Sequence, residues 1–393
     1  MTKIQDQRNY YFSLIIYLIF GIILSGCVPN IEENQNNNIN NNTKTKIGLL
    51  LPIGSKDRDL SYLGKSLRDA ALLAKEDLGD NLFEIKTYDT FGKTGEGLNS
   101  YNLALEEKNE IIIGPFLPSI TKAISKNFSF NNLEIISLSN DPTINRKSIF
   151  ILGDTITNRA NNLIQFAINN NKYRFALINP TKDYNNAIEK ILINKILMNN
   201  GIFTFSTNYS EDISEISDTA QAIKQKLKKT NTDVIIFTGN PDKRMSYLAA
   251  ELADITKSKK ELGIQIIGLS NWNNSTSIIS EPALQNSWFT MPDKRFRKFY
   301  ENKFIKKFGY RPHPKSNLTY DAIAALGVLE DDLQVIDNNY TNKFNGLFNS
   351  SGFIGIDGIF RFNYDRIAEK ELSVIQITNG QSTILKQARN SFP

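Results

Sequence analysis

Short apolar runs alternate with amphipathic segments along most of the chain. The run KIGLLLP (46–52) is almost continuously apolar, as expected for a strand that is covered on both faces. Apolar side chains then recur at helical spacing from Leu63 to Leu78, which predicts a helix packed on that strand. The pattern continues with predicted strands at 83–90, 111–115 and 134–139.

A second series of the same kind begins at RFALI (174–178). Strands alternating with helices of this length favour right-handed crossovers and parallel sheets, so the two series predict an α/β protein with two doubly wound lobes. In the second series the predicted strands are 174–178, 202–206, 233–237 and 265–269, and the predicted helices are 185–199, about 219–229, and 242–254.

Polar or aromatic residues follow most of the predicted strands. In open α/β sheets, ligands bind beyond the carboxyl ends of the strands, so these residues are candidates to line a cleft between two lobes. The alternative is that each is only a helix cap or a turn former. The candidates are Ser119, Thr121, Ser139, Asn140 and Asp141 in the first series, and Tyr184, Gly239, Asn240, Asn271 and Trp272 in the second.

The first 27 residues have a different pattern. Lys3 and Arg8 precede an apolar run from Tyr11 to Leu24, which is shorter than the roughly 20 residues of a permanent membrane span. The run leads into Leu24-Ser25-Gly26-Cys27, which resembles the bacterial lipobox. We therefore predict a lipoprotein signal peptide at 1–26 and lipidation of Cys27, with an uncleaved anchor helix as the alternative.

The segment after Cys27 is polar and rich in Asn. A stretch of this composition cannot bury a core, so residues 27–45 are predicted to form a flexible tether. Val28 would be the second residue of the mature chain, and resemblance to enteric sorting rules then favours the outer over the inner membrane. The predicted location is the periplasm of a Gram-negative bacterium.

The composition counts against several kinds of partner and site. The 393 residues exceed the usual size of one core, and the net charge of +5 includes no basic stripe, which counts against nucleic acid as a partner. One Cys and one His allow neither an internal disulfide nor a zinc set, and no cofactor is predicted. His313 lies between two prolines in a predicted loop, so no catalytic site is expected.

The order of several segments resembles the type 1 periplasmic binding proteins of the leucine-binding class. KIGLLLP, LGKSLRDAALLA, YDT, IIGP and IISLSND follow one another as in the first lobe of that class, and RFALINPTKDY resembles the entry to the second. LTYDAIAALG and the closing segment 352–377 extend the resemblance over 46–385. It implies two lobes joined by a multi-strand hinge, with 46–155 and 291–348 in lobe 1, 156–290 and 349–385 in lobe 2, and a tail at 386–393.

Within that class, the lipobox together with GIDGIFRF and the SNDPT loop resembles proteobacterial penicillin-binding protein activator lipoproteins. That resemblance implies a non-catalytic regulator with a peptidoglycan synthase as its partner, and possible binding of a small polar ligand. The alternative is a receptor that delivers amino acids or related polar solutes to an ABC permease.

One departure from the amino-acid binders bears on specificity. In that class, first-lobe groups at positions matching Ser119, Thr121, Ser139 and Asn140 hold the ligand carboxylate, and a second-lobe acid holds its ammonium. The corresponding stretch here, LSNWNNS (269–275), has no Asp or Glu, and Asp141 is the only nearby substitute. A buried ammonium without an anionic partner is costly, which counts against α-amino-acid specificity.

Overall fold

The computed structural model describes residues 44–392, except 128–132, 145–147, 181–185, 257–262, 271 and 336–339. For residue 274 and for 330–335 and 340–343 it describes the backbone alone. The predicted signal peptide, Cys27 and nearly all of the predicted tether therefore lie outside the described residues. The chain from Lys44 to Pro393 forms one compact unit.

The first sheet is five-stranded and wholly parallel. Its strands are β1 (Thr45–Leu51), β2 (Phe83–Asp89), β3 (Ile111–Ile113), β4 (Glu134–Ser137) and β5 (Ile149–Ile151), in the order β2-β1-β3-β4-β5. Three helices connect them: α1 (Arg58–Leu78), α2 (Thr94–Glu106) and α3 (Pro118–Lys126). Asp57 caps α1 by accepting hydrogen bonds from the N–H groups of Asp59 and Leu60, which satisfies two otherwise free donors of the first turn.

The second sheet is built around a parallel core of β6 (Arg174–Pro180), β7 (Ile202–Tyr209), β8 (Val234–Phe237), β9 (Gln265–Gly268) and β10 (Trp288–Pro292). The helices among these strands are α4 (Ile156–Asn169), α5 (Asn186–Met198), α6 (Ile216–Thr230), α7 (Lys243–Glu251), α8 (Ala253–Thr256) and α9 (Thr276–Ile279). Short 3₁₀ turns lie at Ile213–Glu215, Trp272–Asn274 and Pro282–Leu284.

The last quarter of the chain returns to both sheets. It contains α10 (Arg297–Phe308), α11 (Asn317–Val335), a 3₁₀ segment (Tyr340–Phe348), a small antiparallel sheet of β11 (Phe353–Gly355), β12 (Gly358–Phe362) and β13 (Ala368–Lys370), and the strands β14 (Leu372–Thr378) and β15 (Gln381–Lys386). Strands β14 and β15 add to the second sheet antiparallel to their neighbours, which gives the order β15-β14-β10-β9-β8-β6-β7.

Each large sheet is buried on both faces. Helices α1 and α11 cover one face of the first sheet, where Leu49, Leu67 and Ile323 are fully buried together. Phe353, Phe360 and Phe362 of the small sheet belong to this same core. We therefore place β11–β13 with the first sheet, whereas the sequence-based boundaries put 349–385 in lobe 2. The reason is that these three phenylalanines bury their apolar surface against the first sheet.

Three chain segments connect the two sheets: β5 to α4, β10 to α10, and β13 to β14. Two side chains of α4 tie the first of these segments to the third. Asn158 exchanges two hydrogen bonds with the backbone of Lys370, at 2.9 and 3.2 Å. Asn162 donates to the Lys370 carbonyl at 3.0 Å and accepts from the Leu372 N–H at 3.2 Å. The predicted α/β class with doubly wound parallel sheets is confirmed, and the exact lobe boundaries stay a prediction.

Candidate functional site

The carboxyl ends of β3, β4 and β5 meet at one edge of the first sheet, because these strands are neighbours in it. The β4 and β5 ends are in direct contact: a Cβ on Gly153 would overlap the carbonyl oxygen of Ser139. The residues that follow the three strands, Phe116, Ser139 and Asp154, therefore share one edge. This edge is the candidate functional site.

Two first-series candidates are buried inside this edge. The Thr121 and Ser137 hydroxyls lie 2.9 Å apart, and both side chains are fully buried. Ser139 is also fully buried, and its Oγ accepts the N–H of Asp141 at 3.1 Å. Thr121 and Ser139 therefore stabilise the loops, whereas Ser119 and Asn140 are exposed to solvent.

The negative charge of the Asp141 carboxylate is already compensated by neighbouring side chains. It pairs with Lys122 at 2.5 Å and accepts hydrogen bonds from the N–H and hydroxyl of Thr143 at 2.9 and 2.6 Å. Burial alone would raise the pKa of Asp141, but the hydrogen bonds from Lys122 and Thr143 outweigh it and hold the pKa below its usual value. Asp141 is therefore not a free partner for a ligand ammonium, contrary to the role suggested for it from the sequence.

Four charged residues at this edge escaped the sequence analysis: Asp154, Arg159, Lys315 and Lys370. The Arg159 guanidinium pairs with the Asp154 carboxylate. Burial would raise the pKa of Asp154, but the charges of Arg159, Lys370 and Lys315 outweigh burial and lower it. Asp154 follows β5 (Ile149–Ile151), a strand that is not among those predicted from the sequence.

Lys315 joins the group from the turn before α11. Its Nζ lies 5.7 Å from the centroid of the Phe116 ring, a cation–π contact. The side chain reaches solvent, yet the surrounding walls remove enough water to lower the pKa of Lys315, while the negative charge of Asp154 acts in the opposite direction. No sequence pattern links Lys315 and Lys370 to this edge, because each is more than 150 residues from Asp154.

A hydrogen-bond network centred on Asn179 lies at the carboxyl edge of the second sheet, and Asn179 also donates to the Glu189 carboxylate at 3.4 Å. Thr238 donates to Asn179 Oδ1 at 2.8 Å, and Asn179 donates to Ser206 Oγ at 2.8 Å. Gly239 is buried, and its carbonyl accepts from Ser270 at 3.2 Å. Asn240 is exposed, whereas Tyr184 and Asn271 lie outside the described residues. Of the second-series candidates, only Asn240 is described with an exposed side chain.

Trp272 lies in the core and not on the wall of a cleft. Its side chain is fully buried, and its ring packs so closely on Gly268 that a Cβ there would overlap it. The ring also stacks on Phe289, with centroids 6.4 Å apart. The expectation that Trp272 lines the ligand site is therefore corrected. The polar indole N–H carries little weight beside the large apolar surface that the ring buries.

A cavity of about 190 Å³ lies between α4, α5 and the β12–β13 turn, and Asn158 and Glu369 in its wall are next in sequence to Arg159 and Lys370 of this edge. Asn158 and Asn161 contribute amides to its wall, and both amides are engaged, with Lys370 and with Asn199 respectively. Of the residues that line it, Pro142 is next in sequence to a predicted site residue, Asp141.

His313 has a structural role in its loop. Its N–H donates to Ser66 Oγ at 3.1 Å, and its Nδ1 accepts the N–H of Lys315 at 3.1 Å. Burial lowers the pKa of His313, so the neutral ring is favoured.

Among the described residues, no group of three His, Cys, Asp or Glu side chains is placed to hold a metal ion. In the same part of the chain, no helix combines the length and the apolar character of a membrane span.

Comparison with known proteins identifies the fold of this chain. No family model matches the chain. Its fold is that of the type I periplasmic binding proteins, seen in a putative branched-chain amino acid ABC transporter protein from Rhodospirillum rubrum (TM-score 0.66, 14% identity, 87% of this chain and 100% of that one). The C-domain of LpoA from Haemophilus influenzae, a regulator of PBP1A, shares it too (TM-score 0.60, 16% identity, 86% and 99%).

In sequence, the chain is similar to the uncharacterized protein RP748 of Rickettsia prowazekii, with 20% identity over 385 residues, covering 95% of this chain and 98% of that protein. The structural neighbours are binding proteins and a regulator, and their low identities establish the fold alone. The resemblance to leucine-binding-type proteins and to the activator lipoproteins is thus confirmed at the level of the fold.

Proposed function

We propose that this chain is a non-catalytic envelope lipoprotein whose two-lobed domain regulates a peptidoglycan synthase, and that its cleft is not specific for α-amino acids. The fold shared with the LpoA C-domain supports the regulatory role, and the compensation of both acids at the candidate site counts against α-amino-acid specificity. Asp141 is paired with Lys122, and Asp154 is paired with Arg159. A ligand ammonium placed at this edge would meet cations at least as numerous as carboxylates, and like charges repel strongly where water is scarce.

The synthase interaction is tested by affinity capture. The full chain in detergent, used as bait on solubilised membranes, is expected to recover a peptidoglycan synthase identified by mass spectrometry, and the purified synthase should bind it directly. A fusion of residues 1–43 to an unrelated domain is the control for contacts made by the leader and tether. Recovery of permease and ATPase components without any synthase would overturn the proposal.

The second candidate function is that of an ABC-transporter receptor for a polar solute, favoured by the structural similarity to transporter proteins. A thermal-shift screen of the full chain against the twenty amino acids separates the two. A ligand at about 100 times its Kd stabilises a protein by roughly 2.7 kcal/mol, which raises the Tm by about 2 °C or more in a protein of this size. We expect no amino acid to do so, and a clear shift would favour the receptor.

The lipid anchor gives a separate prediction. Replacing Cys27 with Ser removes the thiol that would accept diacylglycerol, so incorporation of labelled fatty acid into the chain should fall to background. Ser25→Ala is the matched control, because it keeps a small residue beside the thiol and should leave labelling unchanged. Equal labelling of the Cys27→Ser chain would show that the anchor lies elsewhere.

A further inference from the structure

The candidate site contains a cluster of positive charge that two sheets and their connections bring together. Ile151 and Ile367 form a parallel bridge, so the segment that leads into Lys370 passes beside the end of β5, three residues before Asp154. Asn158 then fixes Lys370 through both its backbone N–H and its carbonyl. The backbone of Lys370 is thereby held at the first turn of α4, which carries Arg159, and its charge acts on Asp154.

Lys315 reaches the same place from the first sheet. Its position over the Phe116 ring puts its ammonium at the end of β3, two strands from the end of β5. The charges of Asp154, Arg159 and Lys370 all act on the Lys315 ammonium. The cluster therefore consists of Arg159, Lys315, Lys370 and Asp154, with Phe116 as an apolar wall.

The charges in this cluster do not balance. Arg159 neutralises Asp154, and among the described residues neither Lys315 nor Lys370 forms an ion pair within 4.0 Å. The buried Asp321 also acts on Lys370, but burial raises the pKa of Asp321 to about 7, so this carboxyl is partly protonated at neutral pH and compensates Lys370 only in part. Two ammonium groups held near one another destabilise each other, and an anion placed between them relieves that repulsion.

We propose that this cluster binds the anionic group of a small ligand, either a carboxylate or a phosphate, through Lys315 and Lys370. The ligand would lie against Phe116, at the carboxyl edge of the first sheet. The inference deepens the proposed function by naming a ligand class. It rests on the two-lobed domain of that proposal and does not depend on which protein partner the chain has.

Isothermal titration calorimetry of the full chain in detergent tests it, with succinate and inorganic phosphate as separate probes. We expect one or both to bind, with an affinity that falls as NaCl is raised from 50 to 300 mM, because salt screens the attraction. Lys370→Met and Lys315→Met should each weaken binding about tenfold, the usual effect of losing one charged hydrogen bond. Lys229→Met, which removes an exposed lysine from the last turn of α6, is the control and should leave binding unchanged.

The substitution Asp154→Asn should change the anion affinity in the opposite direction. It removes the only carboxylate of the cluster and keeps the side-chain volume, so anion binding should tighten several-fold. A damaged fold would weaken binding in every variant, so opposite responses of Asp154→Asn and Lys370→Met identify an electrostatic site. Absence of heat with both anions, or equal affinities for wild type, Lys370→Met and Lys229→Met, would overturn the inference. Neither result would affect capture of a synthase, so failure of the two proposals can be told apart.

Discussion

Replacing Trp272 with Ala is expected to lower the free energy of unfolding by about 3–5 kcal/mol, the range found when a large aromatic side chain is deleted from a core. The Trp272 side chain is fully buried between Gly268 and Phe289, in the apolar core of the second sheet. Its removal leaves a cavity that the rigid strand β9 cannot fill. Urea denaturation followed by circular dichroism measures the loss directly.

Two further variants make this test specific. The indole Nε1 has no hydrogen-bond partner among the described residues, so Trp272→Phe loses volume but no hydrogen bond and should cost only about 1–2 kcal/mol. Phe299→Ala removes an aromatic ring that is 71% exposed and should change stability by less than about 0.5 kcal/mol. If Trp272→Ala left stability unchanged and altered ligand binding, the ring would belong to the cleft, as the sequence analysis expected.

Stability should also fall as the pH rises towards neutrality, because of Asp321. Burial raises the pKa of Asp321 to about 7, and the hydrogen bond from the Ile356 N–H and the charge of Lys370 lower it only in part. Between the unfolded pKa near 3.8 and the folded pKa near 7, the folded chain holds a proton that the unfolded chain has released. The folded state is therefore favoured most below about pH 4, and that advantage is lost as the pH rises through 7.

The shift of about 3 pKa units corresponds to about 4 kcal/mol at 1.36 kcal/mol per unit. Urea denaturation of wild type and Asp321→Asn from pH 5 to pH 8 isolates this contribution, since the asparagine variant cannot titrate. Wild type should lose stability relative to the variant as the pH rises. Asp141→Asn is the control: the pKa of Asp141 is lowered, so its effect lies below pH 4 and its profile should run parallel to wild type. Parallel profiles for wild type and Asp321→Asn would contradict the prediction.

Much of the fold follows from local patterns in the sequence. Strands covered on both faces must be apolar throughout, and this made β1, β6 and β8 recognisable. The helices could be predicted because one side of each must be apolar to pack on a sheet, as from Leu63 to Leu78. Ser139, which the strand-end rule selected, packs against Gly153, next to Asp154 of the charged cluster.

The antiparallel part of the second sheet was not assigned from these patterns. Strands β14 and β15 do pair locally, through the two-residue turn Asn379-Gly380, a hairpin signal that the predicted elements did not include. Strands β10 and β14, however, are separated by about 80 residues, and nothing local to either specifies that they pair. The same holds for the small sheet, whose phenylalanines pack on the first sheet although the chain continues into the second.

The sequence by itself determined the α/β class and the position of most strands and helices, because each depends on residues close together in the chain. The lipid-anchored leader stays a prediction from the sequence. Only the tertiary structure decided which polar residues are free to act. Burial removed Thr121 and Trp272 from the cleft wall, and Lys122 compensated the charge of Asp141. The tertiary structure also brought the charges of Arg159, Lys315 and Lys370 to act on Asp154. The electric field at a site is the sum over charges from distant parts of the chain, so local sequence cannot predict it.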